Sequence, residues 1–324
     1  MARPILPTIA THGKLSALVN MLVSHAQFYS SHLVHDENLV TDFEKYLPDT
    51  GATMTYTQGL AALRAACPIT AAAGCIGTHL DSRYVDIVPA NNPYDPINRL
   101  PLSLFNNPGD LLHYESGPNA GQLVYDSNQP GYHVDFRNPA SQTKLINAIV
   151  SELTTRKTNY GIQIVMLDNW IFPDMGITVG AQYYPITIDE NINYLQNLSS
   201  ALHAIDYAII PNFGGPFQYY GMWQFTDAQM IAIAQAADGI VIERPCGFFP
   251  LYWADTPSPG APPITPTVAI VSEWVRRYTL FIQNNCRLVM LADAHQSNKD
   301  SLGFPAGYEY DAEFLSGVVM NLQG

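Results

Sequence analysis

Four short apolar runs stand in the second half of the chain, separated by amphipathic stretches. They are Ile162-Gln163-Ile164-Val165-Met166-Leu167, Tyr207-Ala208-Ile209-Ile210, Gly239-Ile240-Val241-Ile242 and Arg287-Leu288-Val289-Met290-Leu291. Runs this short, rich in aliphatic and β-branched residues, predict strands buried on both faces of a parallel sheet. Between them, residues 141–157 carry Leu145, Ile146, Ile149, Val150 and Leu153 on one helical face. Residues 189–205 carry Ile192, Leu195, Leu198, Leu202 and Ile205 in the same way, and 226–237 and 266–284 repeat the pattern. Asn138-Pro139 is a helix-start signal, and Asp189 is the predicted cap of the second helix.

The first half is less regular. It predicts strands near 4–10, 27–31 and 74–79, and helices at 13–24, 37–46 and 57–66. Residues 81–137 read as a long loop region with short strands near 111–115, 123–126 and 132–136. A long insertion after a barrel strand commonly lies on the functional face. Seven core strands precede residue 293, and a helix at 308–320 leaves little chain for another. Strand–helix alternation of this kind implies a parallel sheet with right-handed crossovers. The expected fold is therefore one α/β domain over residues 1–324: a (β/α)8-type TIM barrel with an incomplete or irregular eighth strand. An open doubly wound sheet is the alternative. The Pro-rich stretch 256–266 reads as an excursion before a helix, not a domain boundary.

Composition narrows the function classes. The 324 residues include 28 acidic and 15 basic side chains, a formal net charge of −13. That balance argues against a nucleic-acid binder, which needs clustered Lys and Arg. Hydrophobic residues make up 47% of the chain, enough for a large core and too many for a disordered chain. No apolar run approaches the roughly 18 residues that would span a membrane, so no membrane segment is expected. The first residues lack a signal-peptide pattern, which leaves a cytoplasmic, virion-associated or otherwise exported protein. Cys67, Cys75, Cys246 and Cys286 show no metal or redox spacing and are expected to be inert thiols. His12, His25, His32 and His35 cluster in sequence without forming an HExxH array. No GxSxG elbow, Walker loop or GxGxxG fingerprint occurs, so neither a metal nor a cofactor is expected. Asn197-Leu198-Ser199 matches the glycosylation tripeptide, but it falls inside a predicted helix. A homo-oligomer or larger assembly is left open.

Ligands in parallel α/β folds bind at the carboxyl ends of the strands. The predicted strands end in Asp168-Asn169-Trp170, Pro211-Asn212-Phe213, Glu243-Arg244-Pro245 and Asp293-Ala294-His295. Earlier ones end in Asp81 and in Asp135-Phe136-Arg137. One carboxylate after almost every strand, with aromatics beside several, suits glycoside chemistry. That chemistry needs two carboxyl groups flanking the scissile bond, and aromatic rings on which sugars stack. Asp168 is the expected nucleophile or base and Glu243 the expected general acid. Burial would raise a Glu pKa for that task, and Arg244 next door would oppose the shift. Asp135 and Asp293 are expected to position a sugar hydroxyl or to orient Asp168, with a loop cap as the plainer role. Asn169, Trp170, Asn212, Tyr220 and Arg244 complete the expected substrate contacts. His79 and His295 read as structural histidines.

The segment Ile164-Val165-Met166-Leu167-Asp168-Asn169-Trp170 resembles the "L-D-N" strand of TIM-barrel glycoside hydrolases related to α-1,4-polygalactosaminidase. Val134-Asp135-Phe136-Arg137-Asn138-Pro139 is similar to the "D-hydrophobic-x-N-P" element that precedes it in that group. Ala237-Asp238-Gly239-Ile240-Val241-Ile242-Glu243 is similar to the group's "A-D-G-hydrophobic-x-x-E" strand. The three stand in family order over about residues 105–295; the first 100 residues match poorly. The resemblance implies a barrel in which Asp168 and Glu243 are the catalytic pair acting on a carbohydrate polymer. The alternative is a non-catalytic carbohydrate-binding or structural protein, such as a virion or surface-fibre component, on the same barrel.

Overall fold

The computed structural model describes residues 9–12, 33–36, 61, 64–65, 76–81, 84–86, 100–126, 131–168, 170, 186–212, 225–243 and 268–293. Seven parallel strands make the main sheet. They are β1 (Ile9–His12), β2 (Leu33–Asp36), β3 (Ile76–Asp81), β8 (Ile164–Asp168), β9 (Ala208–Pro211), β10 (Gly239–Glu243) and β11 (Arg287–Asp293). Four more form a small mixed sheet: β4 (Tyr84–Asp86), β5 (Leu100–Pro101), β6 (Tyr125–Asp126) and β7 (Gly131–His133). Four helices link the later strands: α1 (Pro139–Tyr160), α2 (Ile188–His203), α3 (Asp227–Ala236) and α4 (Val268–Gln283).

Strand order in the main sheet is β10-β11-β1-β2-β3-β8-β9. This is chain order wrapped round a ring: the last strand lies beside the first. An open doubly wound sheet would reverse direction at a switch point, and this sheet does not. The pairing of β11 with β1 runs in register from Ile9↔Met290 to His12↔Asp293, so no gap remains there for an eighth strand. The ladder is interrupted between β9 and β10. There the Asp238 N–H donates to the Ile209 carbonyl, and the Ile209 N–H donates to Asp238 Oδ2. The sheet therefore follows barrel order without a ladder closing it.

Both faces of β8 and β9 are covered. Ile164, Val165, Met166 and Leu167 are all buried, as are all four residues of β9. Leu145, Ile149 and Leu153 of α1 and Leu195, Leu198 and Leu202 of α2 are fully buried in the same core. Those are the apolar positions the sequence places on the inner helix faces.

Several expectations are corrected. Residues 27–31, where a strand is predicted, lie outside the described residues, and β2 is a strand the sequence does not predict. Residues 81–137 hold a four-stranded sheet, ordered β5-β4-β7-β6, in place of a loop with isolated strands. Bridges Leu111↔Val134 and His113↔Leu123 extend it. The cap of α2 is Thr187, not Asp189: Thr187 and Glu190 form a reciprocal capping box, and Asp189 lies in the first turn. Asn138 and Pro139 cap and start α1 as expected. The predicted helices at 13–24, 37–46 and 308–320, most of 57–66, and the excursion at 256–266 lie outside the described residues.

Candidate functional site

Parallel strands bring their carboxyl ends to one edge of the sheet. Following the strand order, the terminal residues are Glu243, Asp293, His12, Asp36, Asp81, Asp168 and Pro211, the last followed by Asn212. Of the expected residues, Asp168, Glu243 and Asp293 thus come together at one end. Register sets their heights. Asp168 is level with Asp81, Asp293 is level with His12, and Glu243 is level with Leu291, two residues below Asp293. In the hydrogen-bonded order β11, β1, β2 and β3 stand between the strands of Glu243 and Asp168, while β9 and β10 meet through the bonds of Asp238 with Ile209.

The small sheet sits at this same end. It begins at Tyr84, three residues after β3 stops, and returns to the main sheet through α1. Its anchor is Asp110, which is buried and accepts from Lys144 Nζ at 2.6 Å, Ser141 Oγ at 2.9 Å and the Asn107 N–H at 3.0 Å. Burial pushes the Asp110 carboxyl up, but those hydrogen bonds and the Lys144 charge outweigh it and hold the pKa below the usual carboxylate value. Asn138 Nδ2 donates to the Gly109 carbonyl while Asn138 Oδ1 caps Ala140. Phe136 stacks on Tyr194 of α2 at 4.7 Å, tying the insertion to a second helix.

Asp135 belongs to this insertion and not to the row of strand ends, because β7 lies in the small sheet. Arg137 engages both of its oxygens, Nε to Oδ1 at 2.9 Å and Nη2 to Oδ2 at 2.8 Å, and reaches Glu115 at 3.1 Å. The bidentate hydrogen bonds to Asp135 raise the Arg137 pKa further. The structure therefore gives Asp135 the plainer role, an ion-paired loop carboxylate.

Trp170 is a correction. Its side chain has no exposed surface, and its Nε1–H donates to the Asn212 carbonyl at 2.8 Å. A ring with no open face is not a stacking platform. Asn212 is also buried, and its N–H donates to the Leu167 carbonyl at 2.8 Å. Together these bonds clamp the ends of β8 and β9 on either side of the Asp168 backbone. Asn169, Tyr220 and Arg244 lie outside the described residues.

Sequence reasoning gave no role to Asp238, His12 or Asp36. Asp238 carries a visible signal, since a carboxylate just before an apolar run is rarely free of a structural duty. His12 and Asp36 end strands of four residues, too short for a clear pattern. Ser199 donates its hydroxyl to the Ala236 carbonyl and is buried, so the Asn197 tripeptide sits inside packed helix. Among the described residues no three His, Cys, Asp or Glu side chains gather closely enough to hold a metal ion. Among the same residues no helix is long and apolar enough to cross a membrane.

No family model matches this chain, and no curated protein matches its sequence. Solved structures do resemble it in outline. The Aspergillus fumigatus protein Ega3, solved with galactosamine, is 11% identical with a TM-score of 0.47, over 95% of this chain and 90% of that one. The α-N-acetylgalactosaminidase NagBb of Bifidobacterium bifidum is 12% identical with a TM-score of 0.48, over 96% of this chain and 46% of that one. The trehalose-6-phosphate hydrolase TreA of Bacillus licheniformis is 10% identical with a TM-score of 0.45, over 87% of this chain and 56% of that one. The chain spans about half the length of the last two. Likeness this distant assigns neither a family nor an activity.

Proposed function

We propose that the chain is a glycoside hydrolase acting on a carbohydrate polymer, on a seven-stranded barrel whose seam lies between β9 and β10. Asp168 is the nucleophile or base and Glu243 the general acid. The observation behind this reading is the row of carboxylates that end four parallel strands at one edge: Glu243, Asp293, Asp81 and Asp168. Glycosidic cleavage needs one carboxyl group to protonate the leaving oxygen and another to attack, or to activate water, from the opposite face. β9 pairs with β8 and meets β10 through the bonds of Asp238 with Ile209. Trp170 and Asn212 serve by fixing the backbone on which Asp168 is carried, and Asp293, the last residue of its strand, is the group we assign to a sugar hydroxyl.

The test is release of reducing ends from a panel of α-linked polysaccharides that includes an α-1,4-galactosamine polymer. Cleavage by the wild type, reduced at least about 10³-fold in Asp168→Asn and in Glu243→Gln, is the expected result. Retention of these polymers without cleavage would replace the enzyme by a carbohydrate-binding protein on the same scaffold.

A further inference from the structure

One side-chain cluster spans the break between β9 and β10. Asp238, the residue before β10, accepts from the Ile209 N–H at 2.9 Å and stands 2.8 Å from His203 Nε2, both through Oδ2. The carboxylate side chain is 1% exposed, whereas that of His203 is 37% exposed, so solvent protons reach the ring but not its partner. A carboxylate only accepts, so the hydrogen of this contact sits on Nε2. A second proton enters and leaves at Nδ1, and it turns a neutral hydrogen bond into an ion pair. His203 is also the last residue of α2, where the partial negative charge of the helix end favours a cation.

Neighbouring elements bring other charges. Lys157 of α1 donates to the Ile205 carbonyl at 2.8 Å and to Asp206 at 3.3 Å, in the turn after α2. Arg156 pairs with Glu152 on α1, and Arg64 donates to the Tyr160 carbonyl at the end of that helix. From β11 the Arg287 N–H donates to the Asp238 carbonyl at 3.0 Å. α3 carries only Asp227, in its first turn, β9 carries no ionisable residue, and β10 carries only Glu243 at its far end. Lys, Arg, Asp and Glu ordinarily titrate outside the range of about pH 5 to 8, so they form a fixed background. Burial pushes the Tyr207 hydroxyl further above that range and disfavours the thiolate of buried Cys286. The imidazole is the group of this cluster whose charge ordinarily changes there.

We infer that His203 and Asp238 form a proton-operated latch on the seam between β9 and β10. A cationic ring holds the carboxylate more strongly in the position from which it accepts the Ile209 N–H. Opening the seam must then break an ion pair as well as a hydrogen bond. The cation is present at lower pH, so the seam is tightest in mild acid and loosens as pH rises and the ring gives up its proton. That proton comes from solvent and returns to it; no other bond is made or broken. The latch lies where β9 and β10 begin, at the opposite end of the sheet from the carboxylate row, so it stands or falls apart from the glycosidase reading.

Amide hydrogen exchange of the full chain at about pH 5.5 and about pH 8, each rate divided by its intrinsic value at that pH, tests this. The readout is the protection of the Ile209 N–H relative to that of Val165 on β8. In the wild type this ratio should be at least about threefold higher at the lower pH. His203→Gln keeps a side-chain N–H donor without a titrating charge, so its ratio should be the same at both. An equal ratio at both pH values in the wild type overturns the inference. So does a change that persists in His203→Gln, because another group then carries the proton. Nitrogen-15 spectra of the wild-type imidazole rings decide the matter even where the variant fails to fold. The His203 Nε2 should keep its hydrogen at the higher pH, and the Ile209 amide shift should follow protonation of the ring. A hydrogen on Nδ1 instead, or an Ile209 shift indifferent to that protonation, overturns the latch.

Discussion

Asp238 does with one side chain what a ladder does elsewhere in the sheet. Its carboxylate takes the Ile209 N–H at 2.9 Å and meets His203 Nε2 at 2.8 Å, with only 1% of the side chain exposed. Its own N–H and carbonyl bond to Ile209 and Arg287. Removing such a carboxylate strands buried donors, which costs far more than an average hydrogen bond is worth. Asp238→Ala should therefore lower unfolding stability by about 3 kcal/mol in urea denaturation. Asp238→Asn, which keeps an acceptor for Ile209, should lose less than half of that. Trp170→Phe should cost about 2 kcal/mol, from the lost indole bond and the space left behind. Such a loss is what a core ring gives; an unchanged midpoint would return Trp170 to the surface role its position after β8 first indicates. The Asp168-Asn169-Trp170 triplet announces a site from sequence, but whether the ring faces solvent depends on a partner 42 residues away. No local pattern encodes that.

The helices show which signals are local and which are not. Asn138-Pro139 reads directly as a helix start, whereas the equally local Thr187–Glu190 box competes in the sequence with Asp189, two residues on, which mimics a cap. The packing of α3 against α4 is not local. Glu273 accepts from Arg276 at 2.7 Å and from Arg277 at 2.7 Å. Arg276 also reaches back to Asp227, in the first turn of α3, with two bonds of 2.8 Å. Arg277 is buried and donates to the Phe225 carbonyl just ahead of that helix. The Arg276 guanidinium, then that of Arg277, holds the Glu273 carboxyl down at about 2 from its ordinary 4.5. A carboxyl with a depressed folded pKa stabilises the fold above its unfolded value and loses that contribution as pH falls through the folded one. Wild-type stability should thus decline between about pH 4.5 and 2 for this group. Glu273→Gln should show a shallower decline over the same window, followed by urea midpoints at pH 6, 4 and 3. Arg276 is half in solvent, so part of the effect should vanish in 1 M salt. Parallel loss in both proteins would mean that other carboxylates carry the acid sensitivity.

Across the whole sheet, the apolar runs of the second half reveal strands β8 to β11 to within a residue or two; β8 and β9, buried at every described side chain, show why. β1 and β2 carry polar residues, and their strand character comes from neighbours far along the chain: β1 is held between β11 and β2. The strand order and its break between β9 and β10 are invisible locally for the same reason. Carboxylates at the strand ends are legible because they follow apolar runs; their spacing across the ring is not, since it depends on register. The seam also has a mechanical consequence. Between β3 and β8 the register runs over four residue pairs, Thr78↔Val165 to Asp81↔Asp168, whereas β9 and β10 meet through Asp238 alone among the described hydrogen bonds. Strand pairs with fewer shared bonds open first in sub-global fluctuations. Amide hydrogen exchange should therefore find Ile209 and its β9 neighbours at least about tenfold less protected than Val165 and Met166 of β8. Asp238→Ala should widen that difference when each protein is compared with its own global stability. Equal protection across β8, β9 and β10, unchanged in Asp238→Ala, would show instead that the ring closes by contacts beyond the described residues and that Asp238 is a local staple only.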